Sequence, residues 1–127
     1  MSIRPRPLSP HLQVYRPQLT SVLSILHRGT GLFLVLGTLM VSFWVIALAL
    51  GHNIFVIYQT WLGSLIGKVL LVFWSFSLFY HWANGIRHLL WDIGWGYDID
   101  RVYMTGWIVV SVSVILTGLL WLSVVFV

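Results

Sequence analysis

Residues 29–50 read GTGLFLVLGTLMVSFWVIALAL and lie within a longer stretch, from Arg28 to Lys68, with no Asp, Glu, Lys or Arg between those two cations. A helix needs about 20 consecutive apolar residues to cross about 30 Å of hydrocarbon, and this run exceeds that. A second uncharged run follows Arg101. With 59% hydrophobic residues and 8% charged ones in a 127-residue chain, the composition is that of an integral membrane protein with room for one domain, residues 1–127. Working outward, the first span covers about 21–50 and ends at the turn-prone Gly51-His52-Asn53, which makes His52 a loop residue on the far side. The second covers about 61–92, too long to lie wholly in hydrocarbon, so it tilts or protrudes; the third covers about 104–127. The expected fold class is an all-α membrane protein of three transmembrane helices, up-down-up, joined by short connections.

The extramembrane arm, residues 1–20, carries Arg4, Pro5, Arg6, Pro7, Pro10, Arg16 and Pro17, which forbids a continuous helix and favours extended or turning backbone. His11 and Tyr15 within it read as solvated or interfacial. No apolar signal-peptide core is present, so the spans themselves direct the chain to the membrane. Arg4, Arg6, Arg16 and Arg28 precede the first span, while Arg87 and Arg101 flank the second connection on the same side; only Lys68 lies toward the other, where its stem can snorkel. Cytoplasmic loops are the basic ones, so the amino terminus is expected inside. This topology accounts for the net charge of +4 without nucleic acid as a partner. Cysteine is absent, which excludes disulfides, thiol catalysis and iron–sulfur clusters ligated by this chain. A redox metal here must have nitrogen or oxygen ligands. Eight Trp and five Tyr suit interfacial and partner-facing surfaces, and membrane lipid is one neighbour.

Ionisable side chains concentrate where the second span ends, in FYHWANGIRHLLWD at residues 79–92, and within a membrane they mark a functional site by default. At about 100° per residue, His81 and His88 lie about 20° apart around the helix and about 10 Å apart along it, so both face one neighbour. Asn84 and Gly85 share that stripe, and the glycine leaves room for another helix or a flat ligand. Three readings of His81 stand: a haem ligand, a proton relay, or an imidazole bonded to another helix. A b-type haem wants a second axial nitrogen about 4 Å from the first, which His88 cannot supply from the same face. His27 belongs nearer the level of His88. The second ligand then comes from another chain, leaving His27, Arg28 and His88 for propionates or a quinone. In the first span Ser24 and Arg28 are four residues apart and stack on one face with Ser21 and Gly31. A hydroxyl beside a fixed cation suits a quinone carbonyl and its reduced anion; alternatively, Ser24 bonds its own backbone and Arg28 a lipid phosphate. Asp92 either fixes Arg87 or His88 or caps a solvated helix end, and Asp98, Asp100 and Arg101 read as a polar connection. The glycines read as packing notches, since none forms a nucleotide-binding pattern.

Three blocks in order, Arg6-Pro7-Leu8-Ser9-Pro10-His11-Leu12, Ser24-Ile25-Leu26-His27-Arg28-Gly29-Thr30-Gly31 and His81-Trp82-Ala83-Asn84-Gly85-Ile86-Arg87-His88-Leu89-Leu90-Trp91-Asp92, resemble the signature blocks of the succinate dehydrogenase cytochrome b556 subunits. That resemblance implies a membrane-anchor subunit of succinate:quinone oxidoreductase, respiratory complex II. In the family, a flavoprotein subunit oxidises succinate, an iron–sulfur subunit passes on electrons, and two hydrophobic anchors hold haem b and ubiquinone. Electrons from the tricarboxylic acid cycle thereby enter the respiratory chain. The chain is similar to the larger anchor, with a second hydrophobic anchor subunit as its partner. By motif, His81 matches the axial ligand to the haem iron, Ser24 and Arg28 match the quinone-binding pair, and His27, Arg28 and His88 match positions near the haem propionates. No catalytic residue for succinate itself is implied. The family places the quinone on the matrix or cytoplasmic side, in agreement with the charge-derived orientation. A chain beginning at Met1 without a transit peptide favours the bacterial inner (plasma) membrane, with the mitochondrial inner membrane as alternative. Competing assignments are the cytochrome b anchor of another redox complex, which would carry more intramembrane histidines, and a non-redox membrane assembly protein.

Overall fold

A computed structural model describes residues 15–126 as four helices: α1 (Leu19–Leu50), α2 (His52–Gly63), α3 (Leu65–Asp92) and α4 (Ile99–Phe126). Most of the arm, His11 included, lies outside the described residues. Helices α1, α3 and α4 are each long and apolar enough to cross a membrane. At about 1.5 Å per residue, the 32 residues of α1 extend about 48 Å, so its ends reach past the hydrocarbon or the helix tilts.

Local chemistry sets the breaks. Gly51 has φ 113°, a conformation that side-chain-bearing residues rarely adopt, and it ends α1 in a single residue. His52 is therefore not a loop residue: it is the exposed first residue of α2, because Gly51 alone makes the turn. Residues 61–63, expected to begin the second span, belong instead to α2. The extended Ser64 separates the two helices, its hydroxyl accepting a 3.2 Å bond from the Gly67 amide as the N-cap of α3. A side chain at Gly67 would strike the carbonyls of Trp61 and Leu62, so the corner needs glycine there. At the other end of α3, Gly94 and Gly96 take positive φ, and the Tyr97 phenol donates to the Trp91 carbonyl at 2.7 Å to close the corner into α4.

Helix α3 runs antiparallel to both α1 and α4. Gly31 packs on His81 and Gly37 on Trp74, while Arg87 bonds Thr105 and Ser75 bonds Trp121, which fixes the register of both pairs. Short α2 folds back on α1: the Tyr58 phenol donates to the Met40 carbonyl at 2.8 Å and the Trp44 indole to Gln59. The buried core is small, Leu23, Tyr80 and Val109 with Leu19, Phe76, Ala83 and Val110 around it. Most large apolar side chains of the spans face outward, which in water would drive aggregation and in a bilayer costs nothing.

Candidate functional site

The site lies where the N-terminal half of α1 crosses the C-terminal half of α3. His81 and His88 both face α1, as their spacing requires, and His27 comes between them. The His27 ring stacks on His81 with centroids 4.0 Å apart and planes 7° apart, and lies 5.1 Å from His88. It therefore sits nearer His81 than His88, contrary to the level expected from the sequence. The antiparallel register brings residue 27 between one turn and the next of α3, which a count along separate helices does not fix.

The two nitrogens of His81 differ sharply. Nδ1 lies 3.1 Å from the His27 carbonyl, which can only accept, so Nδ1 carries the proton. Thr30 Oγ1 is a second neighbour at 3.4 Å, and its own hydroxyl proton goes to the carbonyls of Leu26 and His27. Nε2 is then the nitrogen with a free lone pair, and it makes no hydrogen bond among the described residues. Gly31 holds this geometry open: a Cβ there would lie 2.9 Å from His81 Cε1. Gly85, on the histidine stripe, faces the His27 ring at an ordinary 3.9 Å, so the space it leaves is taken by α1. His27 Nδ1 is buried without a partner among the described residues.

Ser24 is half-buried and Arg28 exposed on α1. Thr30, Thr38, Ser42, Ser75, Ser77, Ser113 and Thr117 spend their hydroxyl protons on carbonyls three or four residues back, whereas Ser24, like Ser21 and Ser111, makes no such bond. Its hydroxyl is available. Arg28 makes neither a hydrogen bond nor an ion pair among the described residues. A separate cleft of about 450 Å³ between α1 and α3, lined by Ile25, Leu26, Gly29, Thr30, Phe33 and Phe73 among others, opens on another side of α1 and includes neither Ser24 nor Arg28.

Arg87 departs from its expected place as a flanking cation. It is only 4% exposed, with Nε donating to Thr105 Oγ1 at 3.0 Å, Nη2 to the Val102 carbonyl at 2.9 Å, and the guanidinium over the Trp91 ring at 4.1 Å. Helix α4 supplies the two hydrogen-bond acceptors, which nothing in the α3 sequence announces, while Trp91 lies one turn further along α3 itself. Asp92 is exposed and bonds neither Arg87 nor His88, so it is a solvated helix end. Asp98 and Arg101 form an exposed 3.3 Å ion pair within the connection, as a polar turn would. Sequence reasoning missed Thr30 and Thr105 and placed Gly31 on the Ser24–Arg28 stripe rather than against His81; the small Gly29-Thr30-Gly31 run after His27-Arg28 was the available signal.

Fold and site together define a three-span integral membrane protein in which His27, His81 and His88 gather between two spans at one end of the bundle. The model for the succinate dehydrogenase/fumarate reductase transmembrane subunit matches residues 2–120, and the chain belongs to that family. It is 47% identical over 116 residues to the succinate dehydrogenase cytochrome b556 subunit of Rickettsia felis, covering 91% of this chain and 90% of that one. The cytochrome b556 subunit of Paracoccus denitrificans is 37% identical over 114 residues, covering 90% and 88%. The cytochrome b560 subunit of Marchantia polymorpha is 41% identical over 106 residues, covering 80% and 77%.

Proposed function

We propose that this chain is the larger membrane anchor of a succinate:quinone oxidoreductase, that its His81 ligates one face of a haem b, and that Ser24 and Arg28 form part of a ubiquinone site. One observation carries the haem assignment: His81 gives its Nδ1 proton to the His27 carbonyl and leaves Nε2 unbonded. Metal-bound histidines are oriented in this way, the second nitrogen fixing tautomer and ring direction. Absence of cysteine excludes a thiolate iron ligand on this chain, and imidazole is a common haem ligand. When bound, haem supplies a one-electron redox centre. The opposite ligand belongs to the second anchor subunit, and succinate oxidation and the first electron transfers belong to the flavoprotein and iron–sulfur subunits. His27, Arg28 and His88 are assigned to the propionate end of the haem.

Quinone reduction takes two electrons and two protons. The Ser24 hydroxyl, unspent on its own helix, donates to a quinone carbonyl oxygen. The Arg28 guanidinium, one helical turn further on, stabilises the negative charge that develops on that oxygen as electrons arrive. The exposed flank of α1 that carries both is open to a substrate arriving through the bilayer. Arg16, Arg28 and Arg101 at this end against Lys68 at the other support an orientation with the amino terminus cytoplasmic, in a bacterial inner membrane.

The test is purification through a tag on this chain in mild detergent, followed by subunit analysis and succinate-reduced and dithionite-reduced spectra. Co-purifying flavoprotein, iron–sulfur and second anchor chains with a b-type haem are expected. A lone chain, or haem without flavin, would overturn the assignment. Within the complex, His81→Leu should abolish or disturb the haem spectrum. Ser24→Ala should impair quinone reduction while leaving succinate oxidation by a soluble dye intact.

A further inference from the structure

Arg87 is a buried cation with no carboxylate beside it among the described residues, and two of its nitrogens are held from outside its own helix. Thr105 Oγ1 and the Val102 carbonyl, both on α4, hold Nε and Nη2, and Trp91 covers the guanidinium face. This leaves Nη1 directed along α3 to Asn84 Oδ1 at 3.5 Å. Asn84 is fully buried, and its amide nitrogen Nδ2 lies 3.4 Å from His88 Nε2. Both contacts are long for hydrogen bonds, yet their polarity is unambiguous. A guanidinium has donors only, so the group facing it must be the amide oxygen, and the group facing His88 must be the amide NH2. An NH2 can only donate, so His88 Nε2 must accept.

We infer that Arg87 and Asn84 are positioning residues that lock His88 as the neutral tautomer protonated on Nδ1, making it a directed N–H donor at the edge of the bundle. The His88 ring is half-buried; its Nδ1 has no partner among the described residues and is not enclosed by the chain. Around the ring stand His27 at 5.1 Å from α1 and Trp91 edge-on at 5.2 Å, with Arg87 and Asp92 on its own helix and neither hydrogen-bonded to it. The acceptor that this N–H fits is a carboxylate from outside the chain. That last step rests on the proposed function, in which His88 lies at the propionate end of the haem; the tautomer does not. Helix α4, through Thr105, thereby fixes a proton on α3 that it never touches.

Nitrogen-15 spectra of the histidine-labelled, full-length chain with its co-purifying subunits, in lipid bilayers near neutral pH and reduced with dithionite, test the inference. His88 is assigned by difference against His88→Gln. The wild-type spectrum is expected to show Nδ1 protonated and Nε2 unprotonated. Asn84→Asp, nearly isosteric, replaces the facing donor by an acceptor and should exchange the two signals, while Asn84→Leu should give both tautomers. A wild-type His88 protonated on Nε2, or on both nitrogens, would overturn the inference without recourse to any variant. So would Asn84→Asp leaving the signals unmoved. The expected tautomer in a preparation lacking haem would uphold the inference and refute the proposed function separately.

Discussion

Two glycines two residues apart on α1 make opposite demands on an alanine. At Gly29 a Cβ meets nothing within 4 Å; at Gly31 it would lie 2.9 Å from His81 Cε1 and 3.4 Å from Nδ1. Carbon atoms pack at about 3.5–4.0 Å, so in Gly31→Ala the imidazole must retreat by about 0.6–1 Å. A histidine ring is ordinarily free to swing, but this one is held on its Nδ1 side by the His27 carbonyl at 3.1 Å and on its face by the His27 ring. Retreat along the Nδ1 bond stretches it beyond hydrogen-bond length, losing about 0.5–1.5 kcal/mol net, and overpacking costs a further 1–3 kcal/mol or so. Helix propensity returns about 1 kcal/mol for replacing glycine by alanine. The net expectation is about 0.5–3.5 kcal/mol of destabilisation for Gly31→Ala, against a Gly29→Ala that is stabilising by up to about 1 kcal/mol. Denaturant unfolding of the full-length chain in detergent, followed by circular dichroism, measures both. On the proposed function, the reduced haem band should weaken or shift in Gly31→Ala alone. A Gly31→Ala chain as stable as Gly29→Ala, with an unshifted band, would refute the packing argument for the His81 position.

Other contacts give smaller, separable outcomes. Tyr80→Phe removes the 2.9 Å bond from a phenol that is 1% exposed to the Leu23 carbonyl; a loss of about 1 kcal/mol is expected in the same unfolding assay, with haem content unchanged. Gly37→Ala places a methyl inside the Trp74 indole and should separate α1 from α3 at their midpoint, costing about 1–3 kcal/mol and quenching or shifting tryptophan fluorescence; an unaltered emission would count against the register. Trp121→Phe deletes the 3.0 Å indole bond to Ser75, but Ser75 keeps its own bond to the Val72 carbonyl, so the cost should stay below about 1 kcal/mol.

What the sequence made legible follows a physical division. Hydrocarbon forbids unpaired backbone and isolated charge, so an uncharged run of apolar residues leaves helix as the one solution, and three spans could be read without knowing any contact. Breaks depended on finer chemistry: Gly51 alone makes a turn that three residues were expected to share, and the Ser64 cap splits what hydropathy joins. Helical periodicity also put His81 and His88 on one face. It could not set the register of α1 against α3, which decides that His27 stacks on His81, nor foresee that Thr105 and Val102, fifteen and more residues beyond Arg87, draw that cation into the interior. Periodicity describes one helix, and partner choice belongs to pairs of them.

The distribution of spent and unspent polar groups supports placing the function at one end. At the α2 end, the Tyr58 phenol bonds Met40, the Trp44 indole bonds Gln59, the Trp121 indole bonds Ser75 and the Ser64 hydroxyl caps α3, while the exposed side chains of His52, Asn53 and Lys68 make no hydrogen bond among the described residues. At the histidine end, His27 Nδ1 is buried without a hydrogen bond among the described residues, as is Trp74 Nε1 elsewhere on α3, and the less enclosed His81 Nε2, His88 Nδ1, Ser24 hydroxyl and Arg28 guanidinium make none either. In a membrane each polar group left unpaired costs about 1–3 kcal/mol, and a sequence able to return Thr38, Ser42 and Ser113 to their own backbone has the means to avoid that cost. Leaving His27 Nδ1 buried and unpaired beside His81 Nε2 and His88 Nδ1 is unfavourable for the chain alone. Ligands and partners with acceptors, a metal and carbonyl oxygens would offset that cost, which is the chemistry that a haem and a quinone bring.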